Sequence, residues 1–260
     1  MSFKISNNII GFNNDLVLFL KLYKKKILPN TILFQGLEGI GKYTFILHLI
    51  SSIIQKNNSI DLENNLNSNQ NILILKKKDN IKEYKFEDIK KIISFCKLKS
   101  FDTKPKFIVI KDCNFLNKSS VNALLKLTEE VKSNTYFFFS SNLLSNNPKT
   151  LESRFFKKKL FLNKKFYNEI IINFYKNNNI QIPDEEYDTN YTPGVHIKKY
   201  FFSLDGNLQN LKKDDEDLFY KIISEKIINT SIEDHVSILK KIKTNLTLKN
   251  DINPILTKFL

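Results

Sequence analysis

Hydrophobic runs long enough to cross a membrane are missing: nowhere in the 260 residues do about 18 or more apolar residues stand in succession. The N-terminal stretch MSFKISNNIIGF lacks the charged, apolar and small-residue zones of a signal peptide, so the expected location is the cytoplasm. Cysteine is nearly absent. Cys96 and Cys113 are the only two, too few and too badly spaced for a zinc ribbon or a disulfide framework, which suits a reducing compartment and leaves both without assigned chemistry. Histidine is equally scarce, and His48, His196 and His235 stand isolated, with no metal-ligand spacing. No metal of its own is expected.

The scarcity of arginine and glycine carries more information. Arg154 is the single arginine among 41 basic residues, and three of the six glycines are Gly36, Gly39 and Gly41. Lysine, asparagine and isoleucine, which crowd the chain, have AT-rich codons. Where such a composition still holds Arg or Gly, the position needs it.

What is present begins with a net charge of +14 and 42% hydrophobic residues. The second figure is ample for packed cores and the first suits a polyanion or an acidic partner. Codon drift accounts for much of that charge, and the lysine runs at 24–26, 76–78 and 157–159 read as solvated faces.

Short β-rich runs alternate with helical ones up to about residue 163, which argues for an α/β domain with a largely parallel sheet. The strands are TILFQ, NILIL (71–75), KFIVI (106–110), TYFFFSS (135–141) and a last short one, KKKLFL. Residues 13–26 form a helix with Leu16, Phe19, Leu20 and Tyr23 on one face, and FEDIKKIISFCKLK is a second, amphipathic helix. Residues 117–131 form a third, with Asn117 as N-cap. The polar, low-complexity stretch 57–70 reads as a surface linker. Beyond 163 the pattern is helical, with turns at Pro193-Gly194 and Asp205-Gly206. The expected organisation is an α/β domain over 1–163, a small helical lid domain over 164–207 and a short C-terminal helical, collar-type segment over 208–260.

The stretch ILFQGLEGIGKYTF (32–45) sets Gly36-x-x-Gly39-x-Gly41-Lys42 between a strand and a helix, the layout of a phosphate-binding loop. Such a loop follows its lysine with Ser or Thr to hold Mg²⁺. Here Tyr43 stands there, and Thr44 comes one position late. The acidic pair that normally ends a following hydrophobic strand is also altered. In FIVIKD, Lys111 takes the place of the metal-binding Asp and Asp112 that of the Glu. The loop's architecture is expected with its hydrolytic chemistry lost, and whether Gly36, Gly39, Gly41, Lys42 and Thr44 still hold a nucleotide weakly is left open.

The segment 106–142, followed by TLESRF, resembles the AAA+ clamp-loader family. NALLKLTEE (122–130) is similar to its Asn-Ala-Leu-Leu-Lys-x-Leu-Glu-Glu helix, and Ser153-Arg154-Phe155 to its Ser-Arg-Cys motif. NNIIGFNND near the start resembles the segment that opens the ATPase domain, so the likeness runs through residues 8–160. Within the family the pattern is most similar to the delta-prime branch of bacterial DNA polymerase III: the four-cysteine module of the motor branch is lacking, and YTPGVHI (191–197) resembles the delta-prime turn.

The resemblance implies that Arg154 is an arginine finger acting in trans on a neighbouring subunit's ATP, the alternative being a structural arginine tying a helix end to the sheet. It implies a sensor-like place for Ser141. It implies no required cofactor, with ATP and Mg²⁺ bound by partners. Those partners would be motor (gamma/tau-like) and delta subunits in a heteropentamer, and through them the sliding clamp and primer-template DNA, with no membrane. An active motor subunit, or a basic nucleic-acid-binding protein, are the rival readings.

Overall fold

The computed structural model describes residues 9–54, 62–77, 83–98, 104–130, 134–143, 149–177 and 191–204. The elements are α1 (Asn13–Lys24), β1 (Thr31–Gly36), α2 (Lys42–Ile53), α3 (Leu62–Asn67), β2 (Ile72–Leu75), α4 (Phe86–Lys97), β3 (Lys106–Ile110), α5 (Lys118–Glu130), β4 (Thr135–Asn142), α6 (Lys149–Arg154), β5 (Phe156–Lys159), α7 (Tyr167–Asn177) and α8 (Pro193–Leu204). The strands form one sheet in the order β2-β3-β4-β1-β5, and every pairing is parallel. Among the described residues, no helix is long and apolar enough to cross a membrane.

Successive side chains of a strand point to opposite faces, and a parallel sheet buried on both faces needs apolar residues at every position. The central strands have them. Ile32, Phe34, Phe107, Val109, Tyr136 and Phe138 face one core, shared with α1, α2 and α3. Leu33, Ile108, Ile110, Phe137 and Phe139 face the other, shared with α4, α5 and α6. On α1, Phe19 is buried and Leu16, Leu20 and Tyr23 pack against the first core, the face read from their spacing.

Asn117 caps α5 as its sequence position suggests, its Oδ1 accepting from the Ser120 amide at 2.9 Å. The expected linker needs correction. Within 57–70, residues 62–67 form α3, because Leu62 and Leu66, one helical turn apart, bury themselves in the first core. The last strand also shifts slightly: β5 is Phe156–Lys159, while Leu160 and Leu162 enter the core just past it.

Lys106, the first residue of β3, is only 4% exposed. Its ammonium is satisfied by the carbonyls at the end of α4, those of Phe95 (2.8 Å) and Leu98, where a cation also meets the negative end of the helix dipole. Burial pushes both thiols above their ordinary range, Cys96 to about 11 and Cys113 to about 12. The chain divides into two compact units, Met1–Gly194 and Val195–Leu260, with the division inside α8. The collar segment expected over 208–260, and the 178–190 and 205–207 parts of the expected lid with its turn at Asp205-Gly206, lie outside the described residues.

Candidate functional site

β1 ends at Gly36 and α2 begins at Lys42, and the turn joining them takes left-handed backbone at Gly39 (φ 72°) and Gly41 (φ 95°). Residues with a Cβ reach such angles only at a cost, so the glycines are retained for geometry. The result is a loop that presents the N-terminal amides of α2, an arrangement suited to phosphate. Lys42 folds back into it. Its Nζ donates to the carbonyls of Gly36 (3.0 Å) and Leu37 (2.7 Å), and the residue is 7% exposed. Burial pushes this ammonium below its ordinary range; Asp112 and Glu38 oppose the shift and Lys111 adds to it. Thr44 lies one turn beneath the loop, its Cβ 4.0 Å from the point a side chain on Gly41 would occupy.

Two cations lie over the Tyr43 ring. The Nζ of Lys76 is 5.2 Å from its ring centroid and that of Lys111 is 5.4 Å away. Its hydroxyl is buried without a hydrogen-bond partner, and burial pushes the phenol far above its usual range, with Tyr84 adding. The phenol is therefore a neutral group that offers no anionic oxygen. Lys111 continues the β3 ladder through its amide, which donates to Leu75 O at 3.0 Å, and the Tyr84 hydroxyl donates to its carbonyl. Asp112 then turns with φ 54°, and its amide donates to Ser140 Oγ at 2.9 Å.

Thus Ser140 bridges β4 to the Lys111-Asp112 turn. The neighbouring Ser141, singled out from the sequence, alternates to the other face and donates to Asn142 O at 3.1 Å. The loop, Tyr43, Lys111 and Asp112 are brought together; Ser141 lies in register with Gln35, one residue before Gly36, and Arg154 lies at the end of α6. Among the described residues, no group of His, Cys, Asp and Glu is placed to hold a metal ion.

Pro193-Gly194, expected as a turn, instead opens α8, and this helix start meets the loop from far along the chain. Thr192 Oγ1 donates to Glu38 O at 2.6 Å, and the Gly194 amide donates to Gly39 O at 2.9 Å. The approach is so close that a Cβ on Gly194 would lie 2.8 Å from both the Cα and the O of Gly39. Changing Gly194 to Ala should force these backbones apart and break that bond. Hydrogen exchange of the amides at 37–41 should then quicken by about fivefold, the equivalent of ~1 kcal/mol for one hydrogen bond. Unchanged exchange would mean that the contact does not hold the loop.

Arg154 ends α6, and its guanidinium donates to Glu129 on α5; the two side chains are 56% and 60% exposed. On the same helix, Leu151 is fully buried, and Phe155 just beyond it stacks on Phe139 with centroids 4.7 Å apart. Between them Glu152 Oε1 accepts from Gln35 Nε2 at 2.9 Å. Gln35, 5% exposed, is the β1 residue directly before Gly36. Sequence reasoning passed over Glu129, Gln35, Glu152 and Ser140. Only Gln35 gave a signal, as the one polar side chain in the buried run ILFQ.

A family model described as DNA polymerase III, delta subunit, matches residues 13–162, more than half of the chain. DNA polymerase III subunit gamma/tau of Mycoplasma genitalium is 30% identical over 142 residues, which are 50% of this chain and 24% of that protein. The chain thus spans about a quarter of the length of that relative. Among solved structures, a DNA polymerase III gamma subunit-related protein from Thermotoga maritima superposes with a TM-score of 0.50 at 15% identity, covering 92% of this chain and 75% of that one. A DNA replication initiation factor gives 0.50 at 18% identity, covering 93% and 80%. At these identities the structural likenesses establish the α/β fold and nothing finer.

Proposed function

The chain belongs to the family described as DNA polymerase III, delta subunit, a clamp-loader family of the AAA+ type, and from that membership we propose that it is a delta-prime-like subunit which hydrolyses no ATP itself. It joins motor and delta subunits in a heteropentamer that places the sliding clamp on primed DNA. Its contribution is Arg154, lent in trans to the ATP site of an adjoining motor subunit.

The observation that supports this most is the pairing of Tyr43 with Lys76 and Lys111 at 5.2 and 5.4 Å, where a working loop holds Mg²⁺. The residues present do not fit a divalent cation. The hydroxyl that follows the loop lysine in other chains is replaced by a neutral phenol, and the metal-binding carboxylate by an ammonium. At an effective dielectric of 20, like unit charges ~4 Å apart repel by about 4 kcal/mol, and a divalent ion doubles that. Phosphoryl transfer depends mainly on metal and fixed cations around the γ-phosphate, so the loss of both ligands removes the chain's own catalysis. Lys42, turned onto Gly36 and Leu37, serves the loop's own carbonyls.

Arg154 fits the role in trans because it sits half exposed at a helix end. The purified chain should show no ATP turnover above background and should co-purify with motor and delta subunits. Turnover abolished by Lys42→Ala would replace this reading with that of an active motor.

A further inference from the structure

An arginine that acts across a subunit boundary is useful only if its helix is held in a fixed orientation, since a misplacement of about 1 Å costs up to about 100-fold in rate. α6 has six residues, too few to be stable by itself, so its tertiary anchors must orient it. Two of these are apolar and lie on one stripe, Leu151 and Phe155. Apolar contacts are non-directional and leave the helix free to roll about that stripe. The third anchor is directional: the amide of Gln35 to the carboxylate of Glu152 at 2.9 Å, a charge-assisted bond made off the stripe by a residue 5% exposed. Gln35 occupies β1 between β4 and β5, immediately before the glycine loop.

We propose that Gln35 and Glu152 are positioning residues for Arg154, fixing the roll of α6 and tying the finger to the strand that carries the chain's own phosphate-type loop. The Glu129 contact cannot do this alone, because it joins two side chains more than half exposed. The inference rests on the reading of Arg154 as a finger in trans.

The test uses the full chain assembled with its motor and delta partners, measuring kcat and KM for ATP at the adjoining site. Gln35→Met keeps the length and removes the donor. It should lower kcat by about 10- to 100-fold with KM and co-purification unchanged. Gln35→Glu, which sets two carboxylates against each other, should lower kcat at least as far. The double change Gln35→Glu with Glu152→Gln exchanges donor and acceptor and should recover most of the rate, an outcome that a general loss of packing would not give. Wild-type kcat in Gln35→Met, or no recovery in the exchanged pair, overturns the proposal. Arg154→Ala, run in parallel, separates the two levels. If it leaves kcat unchanged, the finger reading fails and takes this inference with it; if it lowers kcat while Gln35→Met does not, only the positioning pair fails.

Discussion

Arg154→Ala in the assembled complex is expected to slow ATP hydrolysis at the adjoining motor site by about 10³-fold or more, the scale on which arginine fingers act. Folding should be untouched. Arg154 is 56% exposed and pairs with Glu129, itself 60% exposed, and surface ion pairs of this kind contribute about 1 kcal/mol or less. Arg154→Lys should fail nearly as badly, since lysine keeps the charge and loses the planar fork that engages two phosphate oxygens at once. The pair of measurements is single-turnover hydrolysis by the complex and the thermal midpoint of the isolated chain. Normal turnover with either variant, or a midpoint that falls by many degrees, would instead mark Arg154 as a structural tie between α6 and α5.

Phe34→Ala should produce the largest loss of stability. Phe34 is fully buried on β1 beneath the loop, and its ring meets those of Phe19 (5.3 Å), Phe45 (5.4 Å) and Phe138 (5.9 Å). These rings come from α1, α2 and β4, so the residue joins three elements around the strand that leads into Gly36. Truncation leaves a cavity among rigid neighbours that cannot collapse into it, and buried Phe→Ala changes of this kind cost about 3–5 kcal/mol. Phe34→Leu, nearer in volume, should cost about 1.5 kcal/mol or less. Urea unfolding of the three proteins reads the difference directly. A Phe34→Ala loss below about 1 kcal/mol would show that the first core tolerates a void at its centre, contrary to the close packing of the rings.

Much of the fold was legible because its strands are continuous apolar runs. In KFIVI the four residues after Lys106 are all apolar, which marks a buried parallel strand, and β3 has the predicted bounds. Asn117 could be read as a cap because its partner, the Ser120 amide, lies three residues away. α3 was missed for a related reason: Leu62 and Leu66 are its whole apolar face, diluted by asparagines that disguise a helix as a linker. The glycine loop was visible through its spacing, and the two lysines around Tyr43 were half visible, with Lys111 placed by the strand it follows and Lys76 not. What stayed hidden depends on pairings across long separations. Glu152 meets Gln35 across 117 positions and Thr192 meets Glu38 across 154, and no local pattern announces either. Ser140 was hidden by a simpler difficulty, since adjacent serines at a strand end differ only in which way each points.

The contact between Gly39 and Gly194 is made by main chain on both sides. Every residue except proline carries the amide and every residue carries the carbonyl, so this bond asks for no particular side-chain chemistry at either end. Its demands on heredity are steric ones: position 194 must carry no side chain, and position 39 must keep a left-handed backbone that favours glycine.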